Sequence, residues 1–359
     1  MSTGTKNVMT IIETIKRVID RVDLTEAQAE SVLEQIMTGQ CTDAQVASLL
    51  TALRMKGETV AELTGFAKVM RRKAVRVIPQ STVNAEIADT EREALIDTCG
   101  TGGDVSGSFN VSTATAFVVA GAGFRVAKHG NRSVSSQCGS ADVVEALGVK
   151  IQLKPDDIAR CIDEVGIGFL HAPLLHDAMK YVAIARKQMG IRTIFNMLGP
   201  LTNPAGANIQ VVGVYAAPLT ELLAGVLKEL GSTRALVVHG SDGLDEISIS
   251  SESKISELKG GKVNTYVVAP EDFGLQRSSL AEIQGGDARQ NSEIILGILR
   301  GVRGPRRDIV LLNAAAAFLA SSRAADLSQG VNIATESIDS GNALRKLEQL
   351  REFTMQLSY

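Results

Sequence analysis

Leu95-Ile96-Asp97-Thr98-Cys99-Gly100-Thr101-Gly102-Gly103-Asp104 begins as an apolar strand and breaks into a run of glycines. Gly107-Ser108-Phe109 follows, and Asn110-Val111-Ser112-Thr113 opens a stretch with helical spacing. A short strand feeding a helix through a loop is the repeating unit of an α/β sheet. Glycines without Cβ let backbone N–H groups approach an anion closely. The first turn of the helix adds unpaired donors and a positive dipole end. Ser108, Asn110, Ser112 and Thr113 bring side-chain donors to the same place. The stretch reads as a cradle for a phosphate or diphosphate, with a tight packing turn as the alternative when it is taken alone.

Two better-known loops do not fit. The dinucleotide fingerprint GxGxxG fails because Val105 stands where the third glycine belongs. The Walker pattern fails because Ser108 and Phe109 replace its Lys and Ser/Thr.

On either side of the loop the pattern has two parts. Apolar runs at 95–97, 125–128, 168–170, 210–214 and 235–239 alternate with helical periodicity at 111–120, 141–147, 155–165, 177–189 and 218–230. That alternation predicts a largely parallel sheet covered on both faces. Strand-like runs within 253–268 flank Gly260-Gly261, a hairpin signal, and helices resume at 291–300, 308–321 and 341–353. The first seventy residues are instead helical, with capping boxes at Thr25-x-x-Gln28, Thr42-x-x-Gln45 and Thr59-x-x-Glu62, and with Gly39 and Gly57 as stops. Residues 73–93 read as a linker. The expected fold is therefore α/β: a small N-terminal α-helical domain (1–75, joined by helices near 174–190) and a large α/β domain (76–359) with a mostly parallel central sheet.

Composition narrows the function classes. Among 359 residues, aromatics make up only 4% and tryptophan is absent, so the cores must be aliphatic. A net charge of −3 offers no basic excess for nucleic acid. Cys41, Cys99, Cys138 and Cys161 are scattered without a CxxC pair, which fits reduced thiols in a cytoplasmic protein. The first residues lack a signal-peptide pattern, and no run approaches the roughly 20 apolar residues of a membrane span.

Two further clusters strengthen the phosphate reading. Lys128-His129-Gly130-Asn131-Arg132-Ser133-Val134-Ser135-Ser136 follows the next strand, and Gly139-Ser140-Ala141-Asp142 then starts a helix. Two neighbouring strand ends with anion-binding chemistry point to one ligand carrying more than one phosphate. Asp245-Glu246 follows the strand at 235–239, and adjacent carboxylates suit Mg²⁺, a hard ion that often bridges to substrate phosphates.

Together these motifs resemble the anthranilate phosphoribosyltransferase family. The likeness continues through Phe195-Asn-Met-Leu-Gly-Pro-Leu-Thr-Asn-Pro204, Leu244-Asp-Glu246, Gly286-Asp-Ala288 and Asp308-Ile-Val-Leu-Leu-Asn-Ala-Ala315. It implies a fold of the nucleoside phosphorylase/phosphoribosyltransferase type. The implied reaction is transfer of the phosphoribosyl group of phosphoribosyl pyrophosphate to the amino group of anthranilate, in tryptophan biosynthesis, by a Mg²⁺-dependent cytoplasmic homodimer. Phosphoribosyl pyrophosphate would meet Gly100, Gly103, Asp104, Ser108, Asn110, Val111, Ser112, Thr113, Lys128, Ser136 and Ser140. Magnesium would be held by Ser112, Asp245 and Glu246. Anthranilate would be contacted by Gly100, His129, Asn131, His176 and Arg186 between the domains. His176, Met179 and Arg186 are expected on one helix, within about 80° around its axis, where the guanidinium could grip a carboxylate. His171 and His239 read as structural. No residue is expected to act as a base or nucleophile. The alternatives are a pyrimidine-nucleoside phosphorylase-like enzyme, or a non-catalytic nucleic-acid-binding relative.

Overall fold

The computed structural model describes residues 9–83, 94–102, 107–133 and 137–357. Gly103, Asp104 and Ser136, three of the expected diphosphate contacts, lie outside the described residues. The chain divides into two compact units, Met1–Ala74 with His176–Thr202, and Val75–Leu175 with Asn203–Tyr359.

The first unit is helical. Helices Ile11–Ile19, Glu26–Met37, Asp43–Lys56 and Val60–Lys73 each start at a threonine cap. The hydroxyls of Thr25, Thr42 and Thr59 accept the amides of Gln28, Gln45 and Glu62, each at 3.3 Å. The side chains of the latter accept the threonine amides in return, as a capping box requires. Thr10 and Glu13 form a fourth box that the sequence reading passes over. Gly39 takes the expected positive φ of 76°, whereas Gly57 combines φ 91° with ψ 128°, outside the left-handed helical region. The stripes Val32/Leu33/Ile36, Val46/Leu49/Leu50/Leu53 and Leu63/Phe66/Met70 are all buried.

The segment 176–202 belongs to this unit and differs from expectation. A single helix over 177–189 is replaced by a 3-10 turn, Asp177–Met179, leading into the helix Lys180–Met189. His176 precedes both with φ −128° and ψ 59°, so it does not share a helix face with Arg186. A helix at Ile194–Leu201 escapes the sequence reading because Gly199 and Pro200 lie within it. Its Phe195 ring sits 6.4 Å from that of Phe66.

The second unit is built on one seven-stranded sheet: β1 Leu95–Gly100, β2 Arg125–Gly130, β3 Ile167–His171, β4 Ile209–Gly213, β5 Arg234–Gly240, β6 Ser253–Lys259 and β7 Lys262–Val268. The order is β3-β2-β1-β4-β5-β6-β7, with β1 to β5 parallel and β6 and β7 antiparallel. β4 in the centre and β3 at one end are buried on both faces, the usual state of parallel strands under helices. β7 is a largely exposed edge. The expected helix over 155–165 is an α-helix Pro155–Arg160 continued by a π turn, Cys161–Val165, that closes on Gly166 at φ 93°. The helix Leu327–Asp339 is an addition to the sequence reading.

This order places the glycine loop. From β1 the chain winds outward through β2 and β3, then returns to lay β4 on the other side of β1. That reversal opens a crevice at the carboxyl ends of β1 and β4, where ligands of open α/β sheets collect. Gly100 and Gly213 end those two strands in register.

Candidate active site

The end of β1 is closed by an acidic hairpin from the far side of the sheet. The amide of Gly102 donates to Asp245 Oδ2 at 3.0 Å, and the amide of Ser112 donates to Glu246 Oε1 at 3.1 Å. Ser112 lies in the first turn of the helix Val111–Gly121, so Glu246 stands where the helix dipole favours negative charge. The two glycines at the strand ends are required by this approach. A Cβ on Gly100 would lie 2.6 Å from Asp245 Oδ2, and one on Gly213 only 1.5 Å from the Asp245 carbonyl oxygen. Thr98 supports the same helix by donating its hydroxyl to Ser112 O at 2.9 Å.

The second cluster is tied to the first through a buried carboxylate. Asp97 in β1 is fully buried. Its Oδ1 accepts the amide of His129 at 3.2 Å and its Oδ2 accepts Asn203 Nδ2 at 2.8 Å. Asn203 also donates to Ala127 O at 2.9 Å, so one side chain joins β1 and β2 beneath the loops. Burial pushes the Asp97 carboxyl up, and Lys128, Asn203 and the His129 amide pull it back. Lys128 is itself buried, with Nζ donating to His129 O at 3.3 Å. Burial also pushes the Cys99 thiol far up, which keeps it an inert, protonated packing group.

Asn110 connects the helix start to the end of the second loop. Its Nδ2 donates to Cys138 O at 3.1 Å and its Oδ1 accepts Asn291 Nδ2 at 2.9 Å. Ser108 bridges to Gln284, with the Gly285 amide donating to Gly107 O at 2.9 Å. Ser140 Oγ accepts the Asn131 amide at 3.1 Å, and Gly130 leaves room for it, since a Cβ there would meet Ser140 Oγ at 2.2 Å. Arg132 is committed to Asp142 and Glu145 at 2.7 and 2.6 Å. The Thr113 side chain is buried, and its hydroxyl has no partner among the described residues.

Of the expected residues, the α/β unit thus brings together Gly100, Ser112, Asp245 and Glu246, and links Asn110, Lys128, His129, Asn131 and Ser140 to them through Asp97, Asn203 and Cys138. His176 and Arg186 belong to the helical unit. There the Arg186 guanidinium lies 5.4 Å from the Phe195 ring centre, a cation–π distance. Burial lowers the His176 pKa to about 4, so its imidazole is neutral near pH 7. Sequence reasoning assigned no role to Asp97, Asn203 or Asn110's partner Asn291; the first two stand inside quoted motifs, but nothing in their spacing announces a shared buried bond.

The residues present fit a magnesium–diphosphate pair. Two adjacent carboxylates, each oriented by a backbone amide, offer hard oxygen ligands beside a hydroxyl, that of Ser112. Among the described residues no cluster of three or more His, Cys, Asp or Glu could hold a metal. A pair of carboxylates suits Mg²⁺, which takes one or two carboxylates and completes its shell with phosphate oxygens and water.

Comparison with known proteins places the chain. A model described as the glycosyl transferase family a/b domain matches residues 92–344, and one described as the glycosyl transferase family helical bundle domain matches residues 12–74. The chain is 56% identical over 343 residues to the anthranilate phosphoribosyltransferase of Symbiobacterium thermophilum, covering 96% of this chain and 97% of the relative. The crystal structure of the Thermus thermophilus anthranilate phosphoribosyltransferase superposes with a TM-score of 0.88 at 39% identity, covering 95% and 99% of the two chains. The Saccharomyces cerevisiae enzyme, solved with phosphoribosyl pyrophosphate and Mg, gives 0.85 at 28% identity over 97% and 98%. That yeast enzyme has also been solved with 4-fluoroanthranilate.

Proposed function

The chain belongs to the anthranilate phosphoribosyltransferase family, and from that premise we infer how its own residues carry the reaction. The enzyme transfers the 5-phosphoribosyl group of phosphoribosyl pyrophosphate to the amino group of anthranilate, releasing pyrophosphate, a step of tryptophan biosynthesis. The names of its relatives give no support to a nucleoside phosphorylase or a nucleic-acid-binding protein.

The glycine loop, the first turn of the helix at Val111 and Lys128 hold the diphosphate and ribose phosphate, with Gly100, Gly103, Asp104, Ser108, Asn110, Val111, Ser112, Thr113, Ser136 and Ser140 as contacts. Ser112, Asp245 and Glu246 hold Mg²⁺, which when bound would neutralise charge on the departing pyrophosphate. The observation that carries this reading is the pair of bonds from Gly102 and Ser112 amides to Asp245 and Glu246, which aim two carboxylates at the phosphate loop.

Catalysis then rests on preorganised donors around the leaving group, strongest where water is excluded. As the ribosyl–oxygen bond breaks, positive charge develops on the sugar and the arylamine nitrogen attacks from the opposite face. The arylamine is a neutral nucleophile near pH 7, so no strong base is required. Anthranilate is positioned by Gly100, His129, Asn131, His176 and Arg186, the guanidinium pairing with the carboxylate in a bidentate fork. Positioning of this kind supplies a large part of the rate. We read the functional unit as a cytoplasmic homodimer of chains, each with a helical domain of about the first 75 residues. Among the described residues no helix is long and apolar enough to cross a membrane.

The test is product analysis. Anthranilate-dependent pyrophosphate release with formation of N-(5-phosphoribosyl)anthranilate is expected. Base release from thymidine or uridine with phosphate, in place of it, would overturn the reading.

A further inference from the structure

Helix Pro305–Ala320 carries the quoted run Asp308–Ala315 that no part of the reaction has yet used. Ten of its last twelve residues are apolar and buried, yet Asn313 stands among them, 1% exposed. An asparagine is a poorer helix former than alanine and costs free energy to bury unless its amide is satisfied. Here it is satisfied in full. Asn313 Oδ1 accepts the Ile247 amide at 2.9 Å, while Nδ2 donates to Ile247 O at 3.0 Å and to Ile309 O at 2.9 Å. The side chain pairs with the N–H and the C=O of one residue, as a neighbouring strand would.

Ile247 directly follows Glu246 and lies outside the regular strands, so no sheet ladder serves its backbone. Within the dipeptide, the carbonyl of the peptide joining Asp245 to Glu246 rests against Gly213 closely enough that a Cβ there would come within 1.5 Å. Asp245-Glu246 is therefore backed at its central peptide by Gly213 and held at the next residue by Asn313. From that backbone its carboxylates meet the Gly102 and Ser112 amides.

We propose that Asn313 is a positioning residue for the metal-holding pair, fixing the direction of the Asp245 and Glu246 carboxylates through the Ile247 peptide. The proposal rests on the assignment of Mg²⁺ to that pair. Groups that orient metal ligands without touching the metal typically change affinity by about 10–100-fold when removed.

The experiment is a Mg²⁺ titration read two ways: as activity at saturating phosphoribosyl pyrophosphate and anthranilate, and, without turnover, as the heat of Mg²⁺ binding to the protein with phosphoribosyl pyrophosphate and no anthranilate. It uses wild type, Asn313→Asp, Asn313→Ser, Asp245→Asn and, as a core control on the same helix, Leu312→Ala. Asn313→Asp keeps the acceptor for the Ile247 amide and loses both donors; Asn313→Ser covers the case in which the first variant does not fold. Half-saturation by Mg²⁺ should rise about tenfold or more in the Asn313 variants. The KM for anthranilate should stay within about twofold, and Leu312→Ala should lose thermal stability with no change in Mg²⁺ half-saturation. Unchanged Mg²⁺ half-saturation in a folded Asn313 variant, with Asp245→Asn impaired, overturns the role of Asn313 alone. An Asp245→Asn variant with wild-type Mg²⁺ response overturns the metal assignment beneath it.

Discussion

The Asp245 carboxylate accepts the amide of Gly102 at 3.0 Å across 143 positions of sequence. Through this bond the acidic loop after β5 closes over the glycine loop after β1. Glu246 repeats the arrangement on Ser112. Replacing Asp245 or Glu246 by alanine removes a carboxylate that would hold Mg²⁺ against the departing pyrophosphate while leaving the sheet intact. Turnover should fall by about 100-fold or more, with a melting temperature within a few degrees of wild type. Wild-type turnover in either variant contradicts the metal assignment.

The two glycines beneath Asp245 separate activity from stability. At Gly100 an added methyl meets a side-chain oxygen, which can move, and the residue needs no positive φ. Gly100→Ala should therefore fold, with the KM for phosphoribosyl pyrophosphate raised because Asp245 is displaced. At Gly213 the obstacle is backbone, at 1.5 Å. Gly213→Ala should lose both folding and activity, by roughly 3 kcal/mol or more for a clash in a packed core. Thermal unfolding beside initial rates tells the two apart, and equal losses of stability would defeat the distinction.

The Asp97–Asn203 bond supports a third prediction. Removing the amide in Asn203→Ala leaves a fully buried carboxylate short of a donor, a cost of about 1–3 kcal/mol. Asn203→Asp should be worse near pH 7, because two carboxylates cannot both ionise at that distance. One of the pair then has a folded pKa above its unfolded value, so its penalty is relieved as pH falls. Denaturant melts at pH 7.5 and 5.5, each read against wild type, check this; a variant that loses more stability than wild type on acidification would contradict it.

Much of this was visible in the residues beforehand, and the gaps have physical causes. The strands around 95, 125, 168, 210 and 235 and the hairpin at Gly260-Gly261 follow from short apolar runs between turn signals, and each strand was found to within about three residues. The capping boxes at Thr25, Thr42 and Thr59 are local chemistry and formed as written. Ile194–Leu201 was missed because Pro200, which has no N–H to donate, reads as a helix breaker; one residue from the helix end it forfeits a single i→i−4 bond. His176 was misplaced because periodicity does not register a 3-10 turn at a helix start. In the site, Gly100, Ser112 and Asp245-Glu246 were recognisable from residue type. The pairings Asp97–Asn203 and Asn313–Ile247 span 106 and 66 positions and carry no local spacing signal.

His176 gives a pH prediction. Its folded pKa is lowered to about 4 from an ordinary 6.5, chiefly by burial. Between those values the unfolded chain binds a proton that the folded chain refuses, so stability declines as pH falls through that window. Below about 4 both states are protonated and the loss levels off, at roughly 3 kcal/mol. A His176→Gln variant should show a shallower decline between pH 6.5 and 4 than wild type. Parallel profiles would contradict the buried neutral imidazole.

Arg186 tests the acceptor contact. Arg186→Lys keeps the charge but loses the planar fork. The KM for anthranilate should rise about tenfold or more, with the KM for phosphoribosyl pyrophosphate little changed. A shift confined to phosphoribosyl pyrophosphate would move Arg186 to the other substrate.

Anthranilate fluorescence, followed in one cuvette, joins all of these residues to the reaction. With wild-type protein the signal should decay only when phosphoribosyl pyrophosphate and Mg²⁺ are both present, and chelation of the metal should stop it. Asp245→Ala should hold the signal nearly flat. Decay at an undiminished rate after chelation, or in that variant, would contradict a magnesium–diphosphate site built on Gly100, Ser112 and Asp245-Glu246.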